Sequence, residues 1–361
     1  MEKPLSPALL ACLVLAEGRH RGWQMLSQRD AHAAESSALK RYGRQADALL
    51  ELCRECDVQM VTPEAAEFPE PLRHIPDPPA LLFFRGNLEQ LQRPAIALVG
   101  ARRCTHLGRE VAATLAADIS AKGWVVTSGL ARGVDAAAHR AALPLGLTAA
   151  VLGGGLARPY PAAHRVLANE MVQRGGLLLS EYPPFASPRP YHFPERNRLI
   201  SGLSRAVVVV EAGERSGSLI TARMALEQGR DVMAVPGPVS SPTSRGCHRL
   251  IKQGAALIET ASDVFEALGV DAADSSNADR GRDDAVPKPI AEPSDHALAK
   301  LLGAVGSALT TLDQIMATVG MPAQRVIPQL VELELGGFVQ QVPGGYIRRP
   351  LRVTPSPHQT G

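Results

Sequence analysis

A chain of 361 residues, 45% of them apolar, has enough hydrophobic surface for two or three folded domains, which excludes a wholly disordered protein. The formal charge of +2 is unevenly spread: residues 94–270 carry 19 Lys and Arg against 13 Asp and Glu, a net of +6, and the remainder sums to −4. The basic middle suits a polyanionic partner as well as a solvated arginine-rich surface, and five cysteines without a secretory leader or a bilayer-length apolar run point to the reducing cytoplasm and away from a membrane.

In chain order, residues 1–62 read as a small helical domain, with apolar clusters at Leu9–Leu15 and Ala46–Leu52. Cys53 and Cys56 form an isolated CxxC. Zinc needs four ligands and no second pair stands nearby, so two helical cysteines one turn apart are expected, and no metal. Phe68 to Leu81 is too rich in proline for a helix or a central strand and is expected to run extended over the surface into an edge strand at Leu81–Phe84.

From Ala95 short apolar runs alternate with longer helical stretches, the pattern of βαβ units and of a doubly wound, mostly parallel α/β sheet over residues 63–270. The predicted strands are Ile96–Val99, Trp124–Thr127, Thr148–Leu152, Leu177–Ser180, Ala206–Val210 and Asp231–Val235. Residues 271–293, with 6 acids against 3 bases, read as a flexible linker. Residues 294–349 hold three helical patterns and then two short strands around a glycine turn, the layout of a winged helix. Residues 350–361 form a tail expected to be disordered.

Loops after the strands of such a sheet are where ligands bind. The richest is Phe193 to Ala222, where Arg196, Asn197 and Arg198 precede a buried strand and Ser216, Gly217, Ser218 and Thr221 open the following helix. Small residues at a helix start leave backbone N–H groups free for an anion, and the arginines supply countercharge. The first strand leads into Gly100, Arg102 and Arg103. The second leads into Ser128, Gly129 and Arg132, where Gly129 and Gly133 allow an anion nest. Gly153, Gly154 and Gly155 follow the third with no side chain to block a ligand. Packing alone accounts for any one of these loops, and much less readily for all of them together.

A P-loop GxxxxGK[ST], a GxGxxG with a placed acid and HExxH are all absent. His139, His164 and His192 are open to roles as bases, caps or packing groups, and no nucleophile sits in an elbow. The residues describe phosphate binding without a catalytic engine.

The segments IALVGARRCTHLG, VTSGLARGVDAAAH, HFPERNRLISGLS, SGSLITARMALEQGR and MAVPGPVSSPTSRGCHRLIKQGA resemble the DNA-processing protein A (DprA, or Smf) family from about Phe68 to Leu268. The resemblance implies an extended Rossmann-like domain, flanked by a sterile-alpha-motif-like amino-terminal domain and a winged helix. It implies a non-enzymatic homodimer, without cofactor, that binds single-stranded DNA and loads the recombinase RecA in natural transformation. Arg102 stands at the family's GSR arginine. Gly100, Ser128, Gly129, Arg196, Asn197, Arg198, Ser216, Gly217 and Ser218 stand at its other pocket positions. His164 and His248 replace expected asparagines, and Ala162 stands where a basic residue often follows the YP motif, with Arg158 or Arg165 available to compensate. The alternative is a nucleotide hydrolase like the nucleoside phosphoribohydrolases, whose PGGxGTxxE acid has no counterpart in Ser216–Ala222.

Overall fold

A computed structural model of the chain describes residues 44, 47–63, 65–270 and 296–348, apart from 307, 308, 336, 337 and 343. The expected Leu9–Leu15 cluster, the linker at 271–293 and the tail at 350–361 lie outside the described residues. The chain divides into two compact units, 1–276 and 277–361.

The first unit is built on nine strands: β1 (Gln59–Val61), β2 (Leu82–Gly86), β3 (Ala95–Val99), β4 (Val125–Ser128), β5 (Thr148–Val151), β6 (Leu177–Ser180), β7 (Ala206–Val209), β8 (Asp231–Ala234) and β9 (Ala256–Leu257). Their order in the sheet is β1-β2-β6-β5-β4-β3-β7-β8-β9. The seven from β6 to β9 are mutually parallel, and β2 and β1 add antiparallel at one edge. All six predicted strands are present, several shorter by a residue at one end.

The apolar runs are long because both faces are covered. Along β3, Ala95, Ala97 and Val99 enter one core layer and Ile96 and Leu98 the other, the two-residue alternation of a strand. Helices α2 (His106–Ala121) and α3 (Val134–Ala142) cover the Ile96 face, with α8 (Ala261–Ala267). Helices α5 (His192–Gly202), α6 (Ser218–Glu227) and α7 (Arg245–Lys252) cover the other. Helix α4 (Arg165–Gln173) packs Leu167, Ala168 and Met171 near the antiparallel edge, against Phe83 and Leu178.

Two expectations are corrected at that edge. Gln59–Val61, expected within a helical segment, is a strand that pairs with β2, so β2 is not an edge strand. Residues 47–55 are helical, but Leu49 and Cys53 share a core with Phe83 and Leu178. The proline-rich segment is not merely a surface strap either. Glu70–Arg73 forms a short helix, α1, with proline in its first turn, and Phe68, Leu72 and Ile75 are buried in the main core. Prolines that forbid a strand leave the intervening apolar side chains free to anchor the segment.

The second unit has α9 (His296–Ala304), α10 (Leu312–Val319), α11 (Ala323–Leu335) and a hairpin of β10 (Val339–Val342) with β11 (Gly345–Arg348). Leu301, Ile315, Val326, Leu330 and Val339 form its core. Helix α10 starts in a capping box of Thr311 with Gln314 and ends at Gly320 in the left-handed region, φ 71. Thr310 bridges to Tyr346, extending the wing beyond the hairpin. No helix among the described residues is long and apolar enough to cross a membrane.

Candidate nucleic-acid interface

Successive strands run from β3 through β4 and β5 to β6 in one direction, and from β7 through β8 to β9 in the other. The helices after β3 and β7 therefore leave on opposite faces, and a crevice opens at the carboxyl ends of these two strands. A cavity of about 650 Å³ lies there. Gly100, Arg102, Arg196, Asn197, Ser216, Gly217, Ser218 and Thr221, from three predicted groups, line it together.

Helix amino termini attract anions, but of the three helices that follow β3, β4 and β7, the first two have the protein's own carboxylates at or just before their starts. Before α2, Glu211 Oε2 accepts from the Thr105 amide at 3.0 Å and from Thr105 Oγ1 at 3.0 Å. Before α3, Asp135 Oδ2 accepts from the amides of Gly129 at 3.1 Å and Ala131 at 3.3 Å. The nest expected at Gly129 therefore holds an internal carboxylate. The start of α6 is different: no carboxylate serves it, the Ser218 amide reaches only the Ser216 hydroxyl at 3.4 Å, and the Ser216 and Ser218 hydroxyls lie 2.7 Å apart beside it.

The arginines divide by role. Arg102 is exposed at the rim, its guanidinium 5.3 Å from the Phe193 ring centroid, and Phe193 lies 5.8 Å from Tyr160. Arg196 is buried, donating to the carbonyls of Gly129 and Val151 and from Nε to Asn197 Oδ1 at 3.0 Å. Burial pushes its guanidinium down to about 10, opposed by Asp135 and assisted by Arg102. A Cβ on Gly129 would collide with that guanidinium, which is why glycine stands there. Arg198 does not reach the cavity: it forks onto Glu181 with two bonds of 2.7 Å, and its Nε donates to Asp77 at 3.0 Å. Arg103 and Arg132 are exposed on the loops and outside the cavity lining.

Ser128 is wholly buried and donates to the Leu98 carbonyl at 2.6 Å, joining β4 to β3. Gly153 and Gly155 are also not open to a ligand. The chain from Pro183 to Phe193 covers them, and His192 Nδ1 lies 3.0 Å from the Gly153 carbonyl oxygen. Their lack of side chains admits the protein's own backbone.

The histidines hold the β4–α3 loop. Leu130 has a positive φ of 54, rare for a bulky side chain, and is completely buried. Its amide donates to His139 Nε2 at 3.3 Å, and its carbonyl lies 2.8 Å from His164 Nδ1. His139 Nδ1 is 2.7 Å from Thr148 Oγ1, which donates to the Val126 carbonyl. This chain requires a neutral imidazole, and burial, helped by the Arg196 charge, lowers its pKa to about 3. Asp135, Glu211 and the loop roles of His139 and His164 were not found from sequence. The one local signal was Asp135 in the first turn after Gly133.

The DNA recombination-mediator protein A family model matches residues 59–269, and a DprA winged helix domain matches residues 285–345. Protein Smf of Escherichia coli is 41% identical over 297 residues, 80% of this chain and 77% of that protein. The X-ray structure of DprA from Streptococcus pneumoniae superposes with a TM-score of 0.59 at 37% identity, over 73% of this chain and 93% of that one. The Helicobacter pylori protein, described for its single-stranded DNA binding mode, gives 0.53 at 31% identity, over 58% and 95%. With matching family models over both units, the chain belongs to the DNA-processing protein A (DprA/Smf) family of recombination mediators.

Proposed function

We propose that this chain binds single-stranded DNA across the switch-point crevice, with a backbone phosphate seated at the start of α6. The observation that carries the reading is the contrast among the three helix starts. Internal carboxylates serve the start of α2 and the loop into α3, whereas α6 opens onto the cavity with only the Ser216 hydroxyl on its first amide and with Arg102 and Asn197 around it. Phe193, beside Arg102, and Tyr160, beside Phe193, offer ring faces for a base. The Helicobacter pylori relative, named for single-stranded DNA binding, supports the same partner.

Family membership supports the finer reading that a homodimer protects the strand and delivers it to RecA in transformation. Among the lining residues Asp135 is the one carboxylate, and its Oδ2 is committed to two backbone amides, which favours binding over hydrolysis. The test is fluorescence anisotropy of labelled single-stranded and duplex oligonucleotides across a salt series. Salt-sensitive preference for single strands supports the reading. Equal binding to duplex, or a flat salt response, contradicts it.

A further inference from the structure

We propose that the switch-point cavity seats a whole nucleoside monophosphate, phosphate at the start of α6 and nucleoside on the floor. This rests on the phosphate-binding reading of the same cavity and names what fills the rest of it. A strand crossing the rim would place one phosphate at the mouth of a space of about 650 Å³, whereas that volume falls within the range of small-molecule sites.

The depth of the cavity carries chemistry that a backbone phosphate at the rim does not use. Thr221 lines it, is 2% exposed, and its hydroxyl has no hydrogen-bond partner among the described residues. It lies three positions beyond Ser218, on the same side of the ten-residue helix whose start faces the cavity. Its hydroxyl is open to the cavity, where a ligand atom can reach it. Asn197 Oδ1 accepts from Arg196 Nε, which leaves the amide NH₂ as its donor on the cavity. Val99 and Ile200, 4% and 1% exposed, supply an apolar floor, and Phe193 supplies a wall. An apolar floor does nothing for a phosphate and suits the face of a sugar or base. Two sources share this chemistry: a free nucleoside monophosphate and the phosphorylated terminal nucleotide of a strand.

The test is competition on the full chain against a labelled strand lacking terminal phosphates. The competitors are deoxynucleoside 5′-monophosphates, inorganic phosphate, and unlabelled strands with a 5′-phosphate or a 5′-hydroxyl. Monophosphates are expected to displace the label at least about tenfold more effectively than inorganic phosphate, and Thr221→Val is expected to weaken them about fivefold to tenfold. A stronger effect of the 5′-phosphorylated strand over its hydroxyl counterpart identifies the strand end as the source, and equality identifies the free nucleotide. Arg102-dependent strand binding on which monophosphates act no better than inorganic phosphate overturns this inference and leaves the DNA reading standing. If no strand binds, calorimetric titration with monophosphates decides alone: binding keeps the inference and discards the DNA reading, and no heat discards both.

Discussion

At the scale of single residues, arginines expected at one site do different work. Arg102, exposed at the rim, is expected to contribute about 1–3 kcal/mol to strand binding through a charge-assisted hydrogen bond, so Arg102→Ala should weaken binding with folding intact. It should also lower the salt slope by about 0.7, the value for one phosphate of a single strand. Arg198→Ala should instead destabilise the fold by about 3–5 kcal/mol, measured by urea unfolding, because it leaves Glu181, 4% exposed, without its partner. His139 yields a pH signature. Its ordinary value is 6.5 and its folded value about 3. As pH falls below 6.5 only the unfolded chain takes up the proton, so this residue's contribution to stability declines until about pH 3. Between about pH 7.5 and about pH 5 the wild type should lose about 2 kcal/mol more than His139→Gln. Equal losses would mean that the imidazole is not held neutral.

At the scale of elements, the start of α6 is the decisive one. A Cβ on Gly217 would meet nothing within 4 Å, and its φ of −62 suits any residue. Gly217→Asp should therefore fold with an unchanged thermal midpoint while placing a carboxylate where Glu211 and Asp135 serve the other two helices. Strand binding should fall at least about tenfold, from charge repulsion and loss of the anion position. Retained affinity would move the phosphate elsewhere. The strands themselves were legible in the sequence, because a parallel sheet covered on both faces writes itself as continuous apolar runs such as Ala206–Val209. Ser216–Thr221 was legible for a similar reason, since small residues between a strand and a helix leave few other readings. Which helix starts were already filled was not legible. That depends on Glu211 reaching Thr105 across 106 residues of chain, and on Arg196 reaching Gly129 across 67. The covering of Gly153 and Gly155 by the Pro183–Phe193 segment is likewise a tertiary fact with no local mark.

At the scale of the whole molecule, the sheet order creates the crevice and the carboxylates decide which part of it stays open to an anion. The winged-helix unit adds a second surface of different character. The exposed face of α11 carries Arg325 with Ile327, Val331 and Glu332, a weak charge footprint for duplex DNA. Removing residues 277–361 is therefore expected to leave the preference for single strands intact, measured by the same anisotropy titration. The most direct test of the central claim is a crystal structure of the chain with a short single-stranded oligonucleotide. The expected result is a phosphate at the start of α6, within hydrogen-bond distance of the Ser218 amide and with Arg102 against it. A strand whose phosphates avoid α6 and lie instead on the β4–α3 loop, displacing Asp135 from the Gly129 amide, would contradict it.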